Sequence, residues 1–344
     1  MLVPTRNWHD PQKRRLEAIR AAQERDETAL LELLEAYLRL KSRKKAATSP
    51  QTLRTYRVAV RDYLAWAWPP EAEGPVVPLL KATADDLDRY VADLQTHGGH
   101  LPETSAPLKP STIATYLAGV RAFYRALEWA GAARLPEGVA APRDPTPREE
   151  RRPALPLRLY RALLEHLAGE EPRVLRDRVA VRLLGEVGLR ISEVIHLKVE
   201  DVHLAEGLLV VRRGKGGKQR TLPLPRGVQR DLAAWLRVRA AHAAPGEDTL
   251  LVNLGGRKNR GRAVSDSTLR KTLNRYYRAL GFPARYRGAH MLRHTAGTRF
   301  YKATRDLHVT ARLLGHSNIN TTAIYAKMDL EGLREAVERL EDLE

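Results

Sequence analysis

The stretch Leu313–Ala326 reads LLGHSNINTTAIYA. A Gly-His pair leads into a run of small polar residues, and a lone tyrosine follows. His316 and Tyr325 stand nine residues apart, and between Ser317 and Thr322 only Ile319 has anything to offer a core. Such a run predicts a turn between two short helices. Tyr325 then either packs inside or faces a substrate shared with His316. The stretch alone leaves both readings open.

Three polar boxes lie upstream. GLRISE (Gly188–Glu193) follows a strongly apolar helical stretch; Gly188 ends that helix and Arg190 sits in the next turn. GKGGK (Gly214–Lys218) lies inside GLLVVRRGKGGKQRTLPLP, whose alternating Val and Leu residues predict a β-hairpin with Lys215 at its tip. It is not a nucleotide P-loop, because it lacks the GxxxxGK[ST] spacing and a following helix start. HMLRH (His290–His294) places His290, Arg293 and His294 within one helical turn, on one side. The two histidines have the i,i+4 spacing of a zinc pair. However, Met291 stands where a metalloprotease needs glutamate, no nearby carboxylate or cysteine offers a third ligand, and Arg293 would repel a cation. Histidine beside arginine suits an anion better.

Composition narrows the partner. At 344 residues the chain suggests two domains, and 43% hydrophobic content suffices for a core in each. A net charge of +18 attracts polyanions, nucleic acid first and an anionic membrane surface second. The absence of cysteine excludes disulfides, thiolate zinc sites and cysteine nucleophiles. No segment approaches the ~20 apolar residues of a membrane span, and the first residues lack the apolar stretch of a signal sequence. The expectation is a soluble, cytoplasmic protein without a membrane partner.

Along the chain, residues 1–26 read as a basic extension and 27–131 as an all-helical domain. Its helices are expected from Thr28 to Leu40, from Pro50 to Pro69, from Thr83 to Gly98 and from Ser111 to Ala130, with Gly131 as a cap. Arg54, Arg57 and Arg61 share one outer face, and Arg121 and Arg125 another. Solvated surface and phosphate contact both fit these rows. Five prolines and many charges mark 132–153 as a linker. A second domain, 154–344, is mostly helical around the hairpin, with a last helix at 330–343. Residues 330–344 carry six acids and two arginines, a net −4, behind an apolar stripe of Leu330, Leu333, Val337 and Leu340. Such a segment avoids DNA and suits packing, either on its own domain or on a neighbouring protomer.

Taken singly, each polar residue fits a structural role. Together, Arg190, Lys215, His290, Arg293, His316 and Tyr325 follow one another over 136 residues. GLRISE, GKGGK, HMLRH and LLGHSNINTTAIYA resemble the boxes of the tyrosine recombinase (phage integrase) family, most of all the bacterial Xer recombinases. The resemblance runs from about residue 28 to the end. It implies a mainly α fold: an N-terminal SAM-like DNA-clamp domain of four to five helices, and a mostly helical catalytic domain with a small antiparallel sheet. It also implies site-specific recombination of double-stranded DNA through a covalent 3′-phosphotyrosine, without metal or ATP. The partner would be a second copy of the chain or a related recombinase, in a tetramer on two DNA sites.

Within that resemblance Tyr325 is the nucleophile, and Arg190 and Arg293 hold the phosphate oxygens. His290 accepts or shares the tyrosine's proton and His316 donates to the phosphate. Lys215, with Lys218 as fallback, protonates the leaving 5′-oxygen. Glu193 orients an arginine, and His294 supports the helix. The tyrosine segment is expected to be movable, with Tyr325 apart from both arginines when DNA is absent. A type IB topoisomerase would use a similar set to relax supercoils alone. A DNA-binding architectural protein would keep the fold without the chemistry, against which the intact set of six argues.

Overall fold

Prolines and small polar caps set where the first helices begin. In a computed structural model the described residues are 8–102, 106–147, 153–212, 219–256, 258–316 and 318–327. Contacts divide the chain into two units, residues 1–145 and 146–344. In the first, Asp10 caps α1 (Pro11–Gln23), Asp26 caps α2 (Glu27–Leu40) and Ser49 caps α3 (Pro50–Ala67). Thr83 and Asp86 form a capping box on α4 (Ala84–Thr96), and Pro110 opens α5 (Pro110–Trp129). Each cap satisfies amide donors that the first helical turn leaves without partners. Gly131, at φ +71°, closes α5: its N–H donates to Glu128 O, and that of Ala132 to Leu127 O.

The core of this unit forms where α3 meets α5. A Cβ on Gly119 would lie 2.7 Å from that of Ala59, so glycine lets the two backbones close up. Tyr63, Tyr90 and Tyr124 are fully buried there. Their hydroxyls are satisfied: Tyr63 bonds Tyr124 at 2.7 Å, and Tyr90 donates to the buried Asp62 at 2.9 Å. The basic span 1–26 contains α1, which belongs to this core. Trp8, Ala18, Ala21 and Ala22 are buried, and the Arg14 guanidinium lies 4.0 Å over the Trp129 ring. The alanines at i, i+3 and i+4 were the legible sign of this packing.

The second unit is built round α7 (Pro172–Gly185), preceded by α6 (Leu157–His166). From Leu175 to Gly185 every residue of α7 but Arg182 is buried. Its buried charges are paired: Arg176 bonds Asp177 at 2.6 Å, and the Tyr276 hydroxyl donates to Asp177 at 2.6 Å. The short α8 (Ile191–Val194) follows, then a three-stranded antiparallel sheet of β1 (Val202–His203), β2 (Leu208–Val211) and β3 (Arg220–Pro223). The β2–β3 register pairs Val211 with Arg220. Helices α9 (Arg226–Arg239), α10 (Asp266–Ala279), α11 (Ala289–Thr304), α12 (Leu307–Leu314) and α13 (Ala323–Lys327) complete it, with α9 and α11 packed on α7.

The fold is thus mainly α, a five-helix first unit and a mostly helical second unit with one small antiparallel sheet among the described residues. The hairpin tip with Lys215 and Lys218, and the expected helix at 330–343, lie outside the described residues. Among those described, no helix is long and apolar enough to cross a membrane.

Candidate active site

The end of α12 organises the site. Gly315 takes φ +65°, so its N–H reaches Arg312 O and the His316 N–H reaches Ala311 O. This turn stops the helix and exposes the last carbonyls, which carry the negative end of the helix dipole. Two guanidiniums dock on them: Arg190 Nη2 donates to Gly315 O at 3.3 Å and Arg293 Nη2 to Leu314 O at 2.7 Å. Arg293 also donates to Gly188 O, the carbonyl of the glycine that ends the α7 region. At φ +75° Gly188 admits no side chain, since a Cβ there would lie 2.7 Å from Leu314 Cδ2. The GLRISE, HMLRH and LLGH boxes therefore meet at one point.

Glu193 sits at its centre, 3% exposed. Its carboxylate accepts the Arg190 backbone N–H at 2.9 Å and Arg190 Nη1 at 3.1 Å. Arg293 Nη1 lies 3.9 Å away. A third guanidinium, from Arg220 on β3, grips it with two bonds of 2.9 Å. Burial pushes the Glu193 carboxyl up, but Arg220 and Arg190 overcome this and hold it below its ordinary value. One negative and three positive groups leave a local excess of two positive charges, a setting for an anion. Burial, then the charge of Arg190, lowers Arg293 to about 10, so it still carries its charge at neutral pH.

Arg220 escaped the sequence reading. An arginine five residues past Lys215 has no local pattern to separate it from the many others of this basic chain.

His316 and Tyr325 enter from the segment after α12. His316 Nδ1 is 2.9 Å from the hydroxyl of the fully buried Thr322. Burial first, then Arg293, Arg190, His294 and Arg220, push His316 down to about 4. The unfolded chain keeps a value near 6.5 and so binds a proton that the folded chain rejects. Stability from this group is full above about pH 6.5 and falls as pH drops towards 4. His316→Gln is expected to lose that share of acid sensitivity; urea melts of both proteins at about pH 7 and about pH 4.5 measure it. Identical acid losses in the two proteins would remove His316 as the source.

Tyr325 is 2% exposed, on α13. Its ring fills the space that Gly297 leaves on α11, where a Cβ would come within 2.5 Å of the phenol oxygen. His294 lies against it, ring centres 5.8 Å apart. His294 is thus a wall of the tyrosine's pocket, while His290 is exposed in the first turn of α11. Burial pushes the Tyr325 phenol up to about 12, with Arg293 and Arg190 pulling the other way. Tyr325 was expected to stand apart from the arginines without DNA. Its ring is buried in the gap at Gly297, and the charges of both arginines act on its phenol.

In the first unit a cleft of about 400 Å³ is lined by Arg43, Lys44, Arg121 and Arg125 beside Tyr37 and Tyr56. Arg43 and Lys44 lie between α2 and α3, outside the helical rows that the sequence singled out. Arg121 also donates to Val139 O. On α3, Arg54 is exposed, but Arg57 pairs with Glu35 at 3.4 Å and Arg61 with Glu27 at 2.8 Å. The row on α3 is thus partly neutralised by acids of α2. Among the described residues no group of three His, Asp or Glu side chains could hold a metal ion.

A buried and a half-buried arginine thus meet on the end of one helix, with a histidine and a buried tyrosine beside them. The sequence matches the phage integrase family over residues 156–331 and the phage integrase N-terminal SAM-like domain over 33–131. The chain belongs to the phage integrase family and is a tyrosine-type site-specific DNA recombinase. It is similar to Xer recombinases. It is 31% identical over 316 residues to tyrosine recombinase XerA of Thermococcus kodakarensis, covering 92% of this chain and 96% of that one. It is 33% identical over 234 residues to tyrosine recombinase XerC of Vibrio parahaemolyticus, covering 67% and 72%. Among solved structures, XerH site-specific recombinase bound to palindromic difH substrate, in a post-cleavage complex, shares the fold. There the TM-score is 0.68 at 20% identity, over 92% of this chain and 85% of that one. The Tn1549 transposon integrase in complex with circular intermediate DNA gives a TM-score of 0.62 at 19% identity, over 86% and 94%.

Proposed function

We propose that this recombinase cuts and rejoins duplex DNA through a covalent 3′-phosphotyrosine, as a tetramer on two DNA sites in the cytoplasm. The observation that carries this reading is the meeting of Arg190 and Arg293 at the end of α12, with Tyr325 buried in their field. Arg190 and Arg293 hold the non-bridging oxygens of the scissile phosphate and offset the charge that builds in the transition state. The Tyr325 oxygen attacks phosphorus and its proton passes to His290. The bond to the 5′-oxygen breaks, and Lys215, or Lys218 in its place, protonates that oxygen. Thr322 donates its hydroxyl proton to His316 Nδ1, which leaves the imidazole proton on Nε2 to bond the phosphate. The phosphotyrosine keeps the bond energy, so a 5′-hydroxyl of the partner strand reseals the backbone without ATP or metal.

A pool of nicked duplexes with randomised arms tests this. Cleavage beside a nick frees a short strand and traps the enzyme on DNA. An adduct that resists denaturant is expected, and sequencing it reads out the site. A chain that relaxes supercoiled DNA without site preference would instead be topoisomerase-like, and one that binds without any adduct would be architectural. The acidic C-terminal segment docks on a neighbouring protomer in this reading, so the mass of the complex on DNA should be that of four chains.

The cationic cleft of the first unit holds the DNA backbone, together with Arg54 and with Arg57 and Arg61 once they exchange their glutamates for phosphates. If about ten phosphates are neutralised, the log–log salt slope of binding is roughly −9. Arg125→Gln should weaken binding to all duplexes alike and make that slope about one unit shallower. An unchanged slope would take Arg125 out of the interface.

A further inference from the structure

Arg220 is the charged group of the site that the proposed chemistry does not use. Both of its terminal nitrogens are engaged by Glu193 at 2.9 Å, and its Nε is buried without a hydrogen-bond partner. Gly315 leaves room for it, since a Cβ there would lie 2.9 Å from Arg220 Cζ. Arg220 begins β3, paired with Val211, on the strand that returns from the hairpin carrying Lys215 and Lys218. Its two-pronged contact joins β3 to the turn bearing Arg190, a link of 27 residues in sequence.

We propose that Arg220 is a positioning residue for strand cleavage: by clamping Glu193 from β3 it fixes the Arg190 guanidinium and ties β3 to the arginine turn. A planar, two-pronged guanidinium suits this task, because it sets the plane and the rotation of the carboxylate it grips. With the clamp in place, both Glu193 oxygens face fixed donors and Arg190 is held by its backbone and by its side chain. Without it, the carboxylate is free to turn towards Arg293, 3.9 Å away, and the Arg190 side chain keeps only its bond to Gly315 O fixed. Lysine can supply the charge but only one point of attachment.

The inference rests on the reading of Tyr325 as nucleophile, and the experiment separates the two. Adduct formation is followed in single turnover at saturating DNA, with the pool of nicked duplexes. The wild type must form the adduct and Tyr325→Phe must not; if the wild type forms none, it is the functional reading that fails. Given that result, Arg220→Ala is expected to slow adduct formation about 10- to 100-fold with DNA affinity unchanged, and Arg220→Lys to recover part of the loss. A double-mutant cycle with Glu193→Gln supplies the decisive readout. If Arg220 acts through Glu193, the double variant is no slower than the slower single variant. Losses that multiply, or an Arg220→Ala rate equal to that of the wild type, overturn the proposal. The acid limb of the rate adds a check that misfolding cannot imitate. Glu193 faces Arg190, Arg220 and Arg293, so losing Arg220 should move that limb to higher pH, and an unmoved limb would count against the clamp.

Discussion

Tyr325→Phe is expected to abolish covalent capture of nicked DNA and to leave DNA affinity and folding essentially intact. The ring of Tyr325 is held by burial on Gly297 and beside His294, contacts that phenylalanine keeps. Only the phenol oxygen is lost, and with it the atom that would attack phosphorus. Losing one hydroxyl contact typically costs about 1 kcal/mol of stability, so the variant stays folded. Wild-type reactivity has its own pH dependence. A phenol pushed up to about 12 is almost wholly protonated near neutrality. Its rate should therefore rise with pH until another group intervenes. The check is an adduct assay in denaturant beside a binding titration of the same two proteins. Adduct persisting in the variant would show that another group is the nucleophile.

Arg293→Ala should slow cleavage by at least a hundred- to a thousandfold, about 3–4 kcal/mol of barrier, the usual cost of one preorganised donor. Two effects add to it. Arg293 is 5% exposed and donates to Gly188 O and Leu314 O, so its removal strands two buried carbonyls at about 1–3 kcal/mol each. It also unties α12 from the α7 region, which moves His316 and the platform under Arg190. Arg293→Lys keeps a charge but cannot bridge both carbonyls while facing a phosphate. It is expected to fold better than the alanine variant and to remain slow. Single-turnover rates at saturating DNA, read beside thermal melts, measure the two effects separately. A rate within threefold of the wild type in a folded variant would make Arg293 a structural residue.

Local features were legible because their causes are local. The proline at Pro50 and the cap at Thr83 start helices through contacts a few residues long. Alternating Val and Leu about GKGG marked the hairpin, and the order of Arg190, Arg293, His316 and Tyr325 marked the chemistry. Residues 1–26 were harder, since their basic face masks a narrow alanine stripe whose partner, α2, lies beyond a break. The arginine rows were legible as charge but not as partners. Pairing Arg57 with Glu35 depends on how α2 lies against α3.

By itself the sequence determined the mainly α fold, the small sheet, and which residue types could handle a phosphodiester. The rest was decided by contacts between distant segments. Arg293 reaches a carbonyl 105 residues away and Arg190 one 125 residues away. Arg220 meets Glu193 only because β3 returns beside α8. Tyr325 is docked rather than free because α11 has no side chain at Gly297. Periodicity and capping act over a few residues, whereas a guanidinium finds its carbonyl only after the helices that carry both have packed. Residue types name the chemistry, and tertiary packing sets which charges share a site, how far each is desolvated, and hence what each can do.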